Sequence, residues 1–165
     1  MNLKGKNIES FVLLSVVFLI AVYQVIFAVF LPDSDSDAYA HFIIARDVVR
    51  NPYNLSLHWV WLPLFHYVGA FFVFIGSEMQ SIRYLNVIVT NITPFVLFFY
   101  LKKKEPQSNI PITASLIFAL FPISILMGTT AQPEPMFALL LLLFVVFYDN
   151  GRYFLSSLFL TLSCV

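Results

Sequence analysis

Long apolar stretches alternate with short polar segments along the whole chain. Apolar runs of about 18 residues or more are typical of helices that cross a membrane. One run, at residues 135–149, is short for a crossing, so we expect it to lie with little tilt or to be extended by its flanks. The pattern predicts membrane spans at about residues 8–31, 81–101, 110–128, 135–149 and 153–165.

Two further helices are predicted to lie at the membrane surface. In residues 37–50, the helical repeat of about 100° per residue gathers a narrow apolar stripe, which suits an interfacial helix. Ser36 or Asp37 is placed to cap its N-terminus. Residues 60–76 are apolar all round, but Pro63 leaves only a short helix after it, too short for a span. The stripe of the first helix consists of Ala38, Phe42, Ala45 and Val49.

The basic residues set the expected orientation of these helices. Lys102, Lys103 and Lys104 form the strongest basic cluster of the chain, and such clusters stay on the cytoplasmic side. This rule is satisfied when residues 60–76 dip into the membrane without crossing it. The acidic residues after the first span and Glu134 then share the opposite face. The sequence therefore predicts an all-α, polytopic transmembrane bundle with two juxtamembrane helices on the extracytoplasmic side.

Composition supports an integral membrane protein and excludes other classes. Apolar residues make up 60% of the chain, aromatic residues 18% and charged residues 11%, far from the soluble average. The formal net charge is zero and no basic patch exists, so nucleic acid is not an expected partner. The single cysteine, Cys164, excludes an internal disulfide framework. The last span lacks closing charges, so we expect the N-terminal part of a longer protein.

Three carboxylates follow the first span at alternate positions, as Asp33, Asp35 and Asp37. Charge is expensive at the edge of a membrane, so a cluster there is a candidate functional site. Its oxygens could hold a divalent cation such as Mg²⁺ or Mn²⁺, or one carboxylate could act as a general base. The alternative is helix capping and solvation, for which Asp37 is the best placed of the three.

Glu134 and His41 are further candidates near the same face. Glu134 lies between two prolines at the start of a span, where an acidic side chain also favours the helix dipole. His41 follows Asp37 by one helical turn, so the two side chains could touch. A lone histidine is more often a structural hydrogen-bonding residue, and that alternative stays open.

The remaining candidates are basic or aromatic-flanked side chains. His58 and His66 lie near Trp59 and Trp61, so anchoring at the membrane interface is the simplest interpretation, with binding of a lipid phosphate as the alternative. Arg83 opens the second long span and could hold a phosphate with its paired donors.

The order of these features resembles the GT-C superfamily of integral-membrane glycosyltransferases, of the protein mannosyltransferase and aminoarabinose transferase kind. The acidic motif Asp33-Ser34-Asp35-Ser36-Asp37-Ala38-Tyr39 opens a juxtamembrane helix. Trp61-Leu62-Pro63-Leu64-Phe65-His66-Tyr67 is similar to the aromatic-rich second juxtamembrane segment, and Gln132-Pro133-Glu134-Pro135-Met136 to the second acidic motif. Serines stand where an Asp-Glu pair is common, and the second acid is Glu where Asp is frequent.

The resemblance implies an enzyme that moves a sugar, with mannose as one candidate, from a polyprenyl or dolichyl phosphate donor. The acceptor would be a hydroxyl of a glycan, lipid or protein at the extracytoplasmic face of the cell membrane, or of the endoplasmic reticulum in a eukaryote. Asp35, with Asp37 as the alternative, would be the catalytic base or a metal ligand, and Glu134 the second catalytic acid. The residues expected to contact the substrates are Tyr39, His41, His66 and Arg83.

Two other classes remain as alternatives, a component of a lipid or solute transporter and a non-enzymatic membrane assembly partner. A transporter requires polar or charged groups in the middle of its spans. The clearest spans offer little beyond Asn86, Asn91 and Thr93. This scarcity favours the enzyme.

Overall fold

The structure, a computed structural model, describes residues 3–33, 35–58, 61, 63–76 and 78–164, with side chains from Ile8 onward. The chain is 83% helical, and no strand occurs within these ranges, so the predicted all-α class is confirmed. Ser34, Trp59 and Leu62, which belong to the sequence motifs above, lie outside the described residues.

Eight α-helices are described, together with one 3₁₀ turn at Leu55–His58. The two helices of the predicted surface segments are α2 and α3, and the longest helices are α1 and α4. In chain order the helices are α1 (Leu3–Phe30), α2 (Ser36–Arg50), α3 (Pro63–Gly76), α4 (Met79–Lys104), α5 (Ile110–Leu120), α6 (Pro122–Met127), α7 (Glu134–Asp149) and α8 (Tyr153–Ser163).

The cap of α2 differs from the prediction. Asp35, rather than Ser36 or Asp37, is the N-cap residue: its backbone is extended, with φ −87° and ψ 124°. Its carboxylate accepts a hydrogen bond from the backbone N–H of Asp37 at 2.9 Å. Because the capping side chain must precede the first helical residue, the alternating aspartates leave Asp37 inside the first turn.

The single span predicted at residues 110–128 is interrupted. Helix α5 ends at Leu120 and α6 begins at Pro122, with Phe121 extended between them at ψ 125°. Proline has no backbone N–H and disfavours a helical conformation in the residue before it, which explains the break.

Helix α4 is the centre of the fold and packs against α1, α3, α5 and α7, while α2 pairs with α3 and α7 with α8. The stripe of α2 faces this core through Ala38, Phe42 and Ala45. Val49 is 38% exposed instead, because Val48 takes the buried position. The core between α2, α3 and α4 consists of Ala38, Phe42, Ala45, Phe65, Val73, Ile82, Leu85 and Val89, with Ala131.

Two of the described helices are long and apolar enough to cross a membrane, the 23 residues Ile8–Phe30 of α1 and the 26 residues of α4. Helices α5, α7 and α8 have 11, 16 and 11 residues. A span needs about 20 residues, so the other three predicted spans are not confirmed by length.

Candidate functional site

The acidic loop (residues 31–33 and 35) is joined to the Gln132 loop (residues 128–133), which lies between α6 and α7. Asp33 Oδ2 accepts a hydrogen bond from the backbone N–H of Ala131 at 3.0 Å. Asp35 Oδ2 accepts one from Gln132 Nε2 at 2.6 Å. Segments nearly one hundred residues apart in the chain are thereby held together.

Arg83 of α4 forms hydrogen bonds with both loops. Its Nη1 donates to the carbonyls of Ala28 at 3.0 Å and Leu31 at 2.7 Å, at the C-terminal end of α1. Its Nε donates to the carbonyl of Thr129 at 2.5 Å and lies 3.9 Å from Asp33 Oδ2. The side chains of Arg83 and Asp33 are only 2% and 1% exposed. A buried charge requires such a partner and such hydrogen bonds.

Asn86 lies one helical turn after Arg83 and binds the same loop. Its Nδ2 donates to the carbonyls of Thr130 at 2.7 Å and Gln132 at 2.5 Å. The carbonyls of a loop that cannot pair in a helix or sheet are satisfied by this amide. The Gln132 loop is therefore fastened to α4 along most of its length.

These contacts change the interpretation of the predicted site residues. Asp33 is a buried partner of Arg83 rather than a solvated residue, and both oxygens of Asp35 accept hydrogen bonds. Asp37 is exposed, and Tyr39 is 54% exposed with its ring tilted against Phe42. Asp33 and Asp35 thus form a structural joint between the acidic loop and the Gln132 loop. The alternation of aspartates did not predict this role.

A cavity of about 230 Å³ lies beside this joint, between α2, α3, α7 and α8. Its polar lining residues are His41, Glu134 and Ser163. Of the predicted catalytic acids, Glu134 is the one that borders this cavity, and it also borders a second cavity of about 220 Å³. The apolar lining of the first cavity consists of Trp61, Leu64, Phe65, Pro133, Met136, Phe137, Leu140 and Leu162.

His41 begins a chain of three hydrogen-bonded histidines. His41 Nδ1 lies 2.8 Å from His66 Nε2, and His66 Nδ1 lies 2.8 Å from His58 Nδ1. The three residues are 1%, 0% and 3% exposed, respectively for His41, His66 and His58. His58 and His66 are therefore buried, and not at the surface as interfacial anchors would be. Their spacing gave no signal of this contact, because the three side chains come from three separate elements.

Burial keeps these imidazoles neutral. Desolvation, followed by the proximity of His41 and His58, lowers the pKa of His66 from 6.5 to about 3. Desolvation also lowers the pKa of His58. It lowers the pKa of His41 as well, against the opposing charges of Asp37 and Asp35. All three side chains consequently act as neutral hydrogen-bonding groups near pH 7.

The described residues do not assemble a metal site. They contain no group of three histidine, cysteine or acidic side chains that could hold a metal ion. His66 offers its two opposite ring nitrogens to His41 and His58, so one ion could not contact all three rings. The oxygens of Asp33 and Asp35 already accept hydrogen bonds within the protein.

Comparison with protein-family models, with curated proteins and with solved structures finds no match to this chain.

Proposed function

We propose that the protein is an integral-membrane glycosyltransferase that moves a sugar from a polyprenyl-phosphate donor to an acceptor hydroxyl. The observation that carries this proposal is the cavity bordered by His41 and Glu134 beside the two joined loops. A rigid joint next to an apolar cavity with a few polar groups is the usual construction of a ligand site.

The surface of α1 supports a membrane location. Large apolar side chains on this helix are exposed, among them Phe11 at 67%, Phe18 at 63% and Leu19 at 66%. Contiguous apolar surface of this kind is covered by lipid or by another protein. In the proposed topology α5 with α6, α7 and α8 supply the remaining spans, and α2 and α3 lie at the extracytoplasmic face.

The lining of the cavity suits an amphiphilic donor. Its walls are mainly apolar, with His41 and Glu134 among the few polar groups. A polyprenyl tail remains in the bilayer, so the sugar phosphate has to be reached at the membrane boundary. A cavity framed by surface helices α2 and α3 meets this requirement.

In the proposed reaction the acceptor oxygen bonds to the anomeric carbon, and the bond from that carbon to the donor phosphate breaks. Polyprenyl phosphate leaves with the electron pair. Sugar transfer passes through a transition state with positive charge on the sugar ring. Glu134 would orient the acceptor hydroxyl and stabilise this charge.

The other predicted residues would act through position. Asp33, Asp35 and Arg83 hold the loop that leads into Glu134, and their polar atoms are used for this purpose. Asp37 remains the alternative carboxylate, because it is exposed on the first turn of α2. The choice of donor sugar, for which mannose is one candidate, would depend on contacts between the cavity and the bound donor.

The polar groups within the long helices favour an enzyme over a transporter. Asn91 Nδ2 donates to Gln24 Oε1 at 2.5 Å, and Gln24 Nε2 donates to the carbonyl of Ile125 at 3.1 Å. Thr93 donates to the carbonyl of Val89 at 2.8 Å. Asn91 and Gln24 thus join helices and Thr93 bonds within its own helix, whereas a transport path needs polar groups that face a solute.

The test uses the protein reconstituted in liposomes with a set of polyprenyl-phosphate sugars that includes mannose. A membrane extract supplies acceptors, and mass spectrometry measures released polyprenyl phosphate, so the acceptor need not be known. We expect release by the wild type and a decrease of about 100-fold for Glu134→Gln, the order typical of a lost electrostatic contact.

Glu78→Gln is the matched control, because Glu78 is also an exposed glutamate at a helix start but does not line the cavity. Its rate should equal that of the wild type. Absence of release from every donor by the wild type would reject the proposed function. Equal rates for Glu134→Gln and the wild type would reject the assigned role of Glu134.

A further inference from the structure

The geometry of the three histidines is that of two nearly linear hydrogen bonds. The ring centroids of His41 and His66 are 5.1 Å apart, as are those of His66 and His58. Each centroid separation exceeds the N···N distance of 2.8 Å by about one ring diameter. The bonds therefore lie almost on the lines between the rings, where hydrogen bonds are strongest. The planes of His58 and His66 are within 18° of each other.

Neutral imidazoles in such a chain must order their protons. Each ring carries one N–H, so both bonds form only when all donors run in the same direction. In one order His41 Nε2 carries a proton and His58 Nε2 is an acceptor; in the other order the two ends are reversed. Both orders preserve the bonds to His66, which exchanges its tautomer between them.

The two ends of the chain lie in different surroundings. His41 lines the cavity, and Nε2 is the ring nitrogen that its bond to His66 leaves available. His58 Nε2 is buried, without a hydrogen-bond partner among the described residues. The chain of histidines therefore connects the cavity to an unsatisfied nitrogen of the 3₁₀ turn that follows α2.

We propose that His41, His66 and His58 form a proton relay that takes a proton from a ligand in the cavity at His41 and carries it to His58. In the sugar transfer of the proposed function, on which this use of the relay rests, His41 is the catalytic base. His66 is a positioning and relay residue that contacts neither substrate.

The step is balanced in protons. As the acceptor oxygen bonds to the anomeric carbon, its proton passes to His41 Nε2. The Nδ1 proton of His41 moves to His66 Nε2, and the Nδ1 proton of His66 moves to His58 Nδ1. The positive charge then rests on His58, which holds a proton on each ring nitrogen. The transfers reverse when the departing polyprenyl phosphate, a phosphate monoester, takes the proton back from His41 Nε2. The second and the third transfer each take place between two ring nitrogens that are 2.8 Å apart.

The surrounding charges favour uptake at the cavity end. Desolvation lowers the pKa of His41, and Asp37 and Asp35, at the start of α2, partly offset this effect. Glu134, from α7, borders the same cavity. Trp61 and Phe65 cover the ring of His41, with centroids at 4.9 and 5.5 Å, so water is kept from the first bond. A carboxylate near a shielded imidazole raises its ability to accept a proton.

The first test measures the hydrogen bonds themselves, in protein labelled with ¹⁵N-histidine and placed in lipid nanodiscs. Nuclear magnetic resonance detects scalar coupling between two nitrogens that share a proton. We expect two such couplings, both including His66, and their loss together in His66→Phe. Only one coupling or none, in a wild type that is folded, would overturn the relay.

The second test measures polyprenyl phosphate release from polyprenyl phosphomannose by His66→Gln. Glutamine fills a similar volume and can donate and accept at once, but its amide cannot exchange tautomers as imidazole does. We expect a decrease of at least tenfold with little change in KM, and a comparable decrease for His41→Gln. Wild-type turnover by His66→Gln would overturn the relay.

Tyr67→Phe is the matched control. The ring of Tyr67 lies 5.1 Å from that of His58, but its hydroxyl donates to the carbonyl of Pro52 and takes no part in the chain. Its turnover should equal that of the wild type. Two couplings in an inactive wild type would leave the relay standing and reject the proposed function. Release of polyprenyl phosphate without the couplings would reject the relay alone.

Discussion

The charged side chains are buried at one end of α4 and exposed at the other. This helix has 26 residues and is roughly 39 Å long, so Arg83 near its start and the lysines at its end are far apart. Arg83 and Asp33 form a buried pair surrounded by backbone carbonyls. Lys104 pairs with Asp149, and their side chains are 48% and 32% exposed. Lys103 donates to Asn150, also at the surface.

This difference in burial indicates at which end of α4 the charged side chains are held in one arrangement. A buried ion pair loses its hydration, so it persists only where hydrogen bonds hold both partners. An exposed pair forms in water and contributes little to stability. The joined loops at the start of α4 are therefore suited to position a site, whereas the lysine end can tolerate change. The following substitutions test that contrast, from the largest expected effect to the smallest.

Arg83→Met should have the largest effect. It removes the donors to the ends of α1 and of the Gln132 loop, and it leaves Asp33 buried without its charged partner. Breaking one side of a buried pair decreases the free energy of unfolding by about 3–5 kcal/mol. Thermal unfolding in detergent micelles measures this loss.

Arg46→Met is the control for that substitution, because Arg46 is a half-exposed arginine on α2. A change below about 0.5 kcal/mol is expected there, as for most surface substitutions. Adding Asp33→Asn to Arg83→Met should restore part of the stability, since the unpaired charge is removed. Equal stability of Arg83→Met and Arg46→Met would contradict the buried pair.

Gly128→Ala should have the next largest effect, because the chain approaches closely there. A methyl group at this position would overlap Gln24 Nε2 and would lie 3.1 Å from Thr90 Oγ1. Gln24 is fully buried and bonded to α4 and α6, so it cannot move without loss. Such overpacking decreases the free energy of unfolding by about 1–3 kcal/mol.

A double-mutant cycle separates this contact from a general effect of glycine. Gln24→Ala should recover stability in the Gly128→Ala background, since the side chain that clashes is gone. At the other end of α4, Gly151 has φ +70°, and a methyl group added there would meet nothing within 4 Å. Gly151→Ala is therefore strained only by its backbone, and Gln24→Ala should leave its effect unchanged.

Much of the fold could be predicted from the apolar runs, because their length and their bounding prolines are local signals. Helix α4 extends the predicted 81–101 to Met79–Lys104, and α7 begins within one residue of its predicted start. The break at Pro122 also had a local signal, the proline itself, which a single long apolar run concealed.

The candidate site was less accessible to prediction. Charge topology predicted a shared membrane face for the acidic loop and Glu134, and that face stays a prediction. The partners of Arg83 are separated from it by 46 to 56 residues, and His41 is separated from His66 by 25. Such contacts depend on how helices pack, and neither periodicity nor spacing encodes them.

Acid should destabilise the folded protein through its buried histidines. The pKa of His66 is lowered to about 3, whereas in the unfolded chain it returns to 6.5. Unfolding then takes up a proton below pH 6.5, so stability is complete above this pH and decreases as pH falls. Between pH 7 and pH 5 we expect a loss of about 2 kcal/mol from this group.

The measurement is thermal unfolding at both pH values. The other two histidines of the chain, His41 and His58, also have lowered pKa values and contribute in the same direction, so the variant has to be compared with the wild type. His66→Phe should decrease the pH dependence, although its stability at pH 7 is also lower. An unchanged difference between pH 7 and pH 5 in this variant would show that His66 is protonated in the folded protein.

The smallest effect is expected at the lysine end, for the pair of Lys102 and Glu9. Lys102 Nζ lies 2.6 Å from Glu9 Oε2, and the two side chains are 16% and 23% exposed. A partly exposed pair loses side-chain freedom and is screened by salt, so a coupling energy of about 0.2–1 kcal/mol is expected. The cycle of Lys102→Met, Glu9→Gln and the double variant measures it, at low and at high salt. The coupling energy of Lys102 and Glu9 should decrease at high salt, because water and dissolved ions reach this end of α4. The coupling energy of Arg83 and Asp33 should persist, since neither of these side chains is in contact with solvent. Salt-insensitive coupling at both ends would remove the distinction between a buried joint and a solvated one.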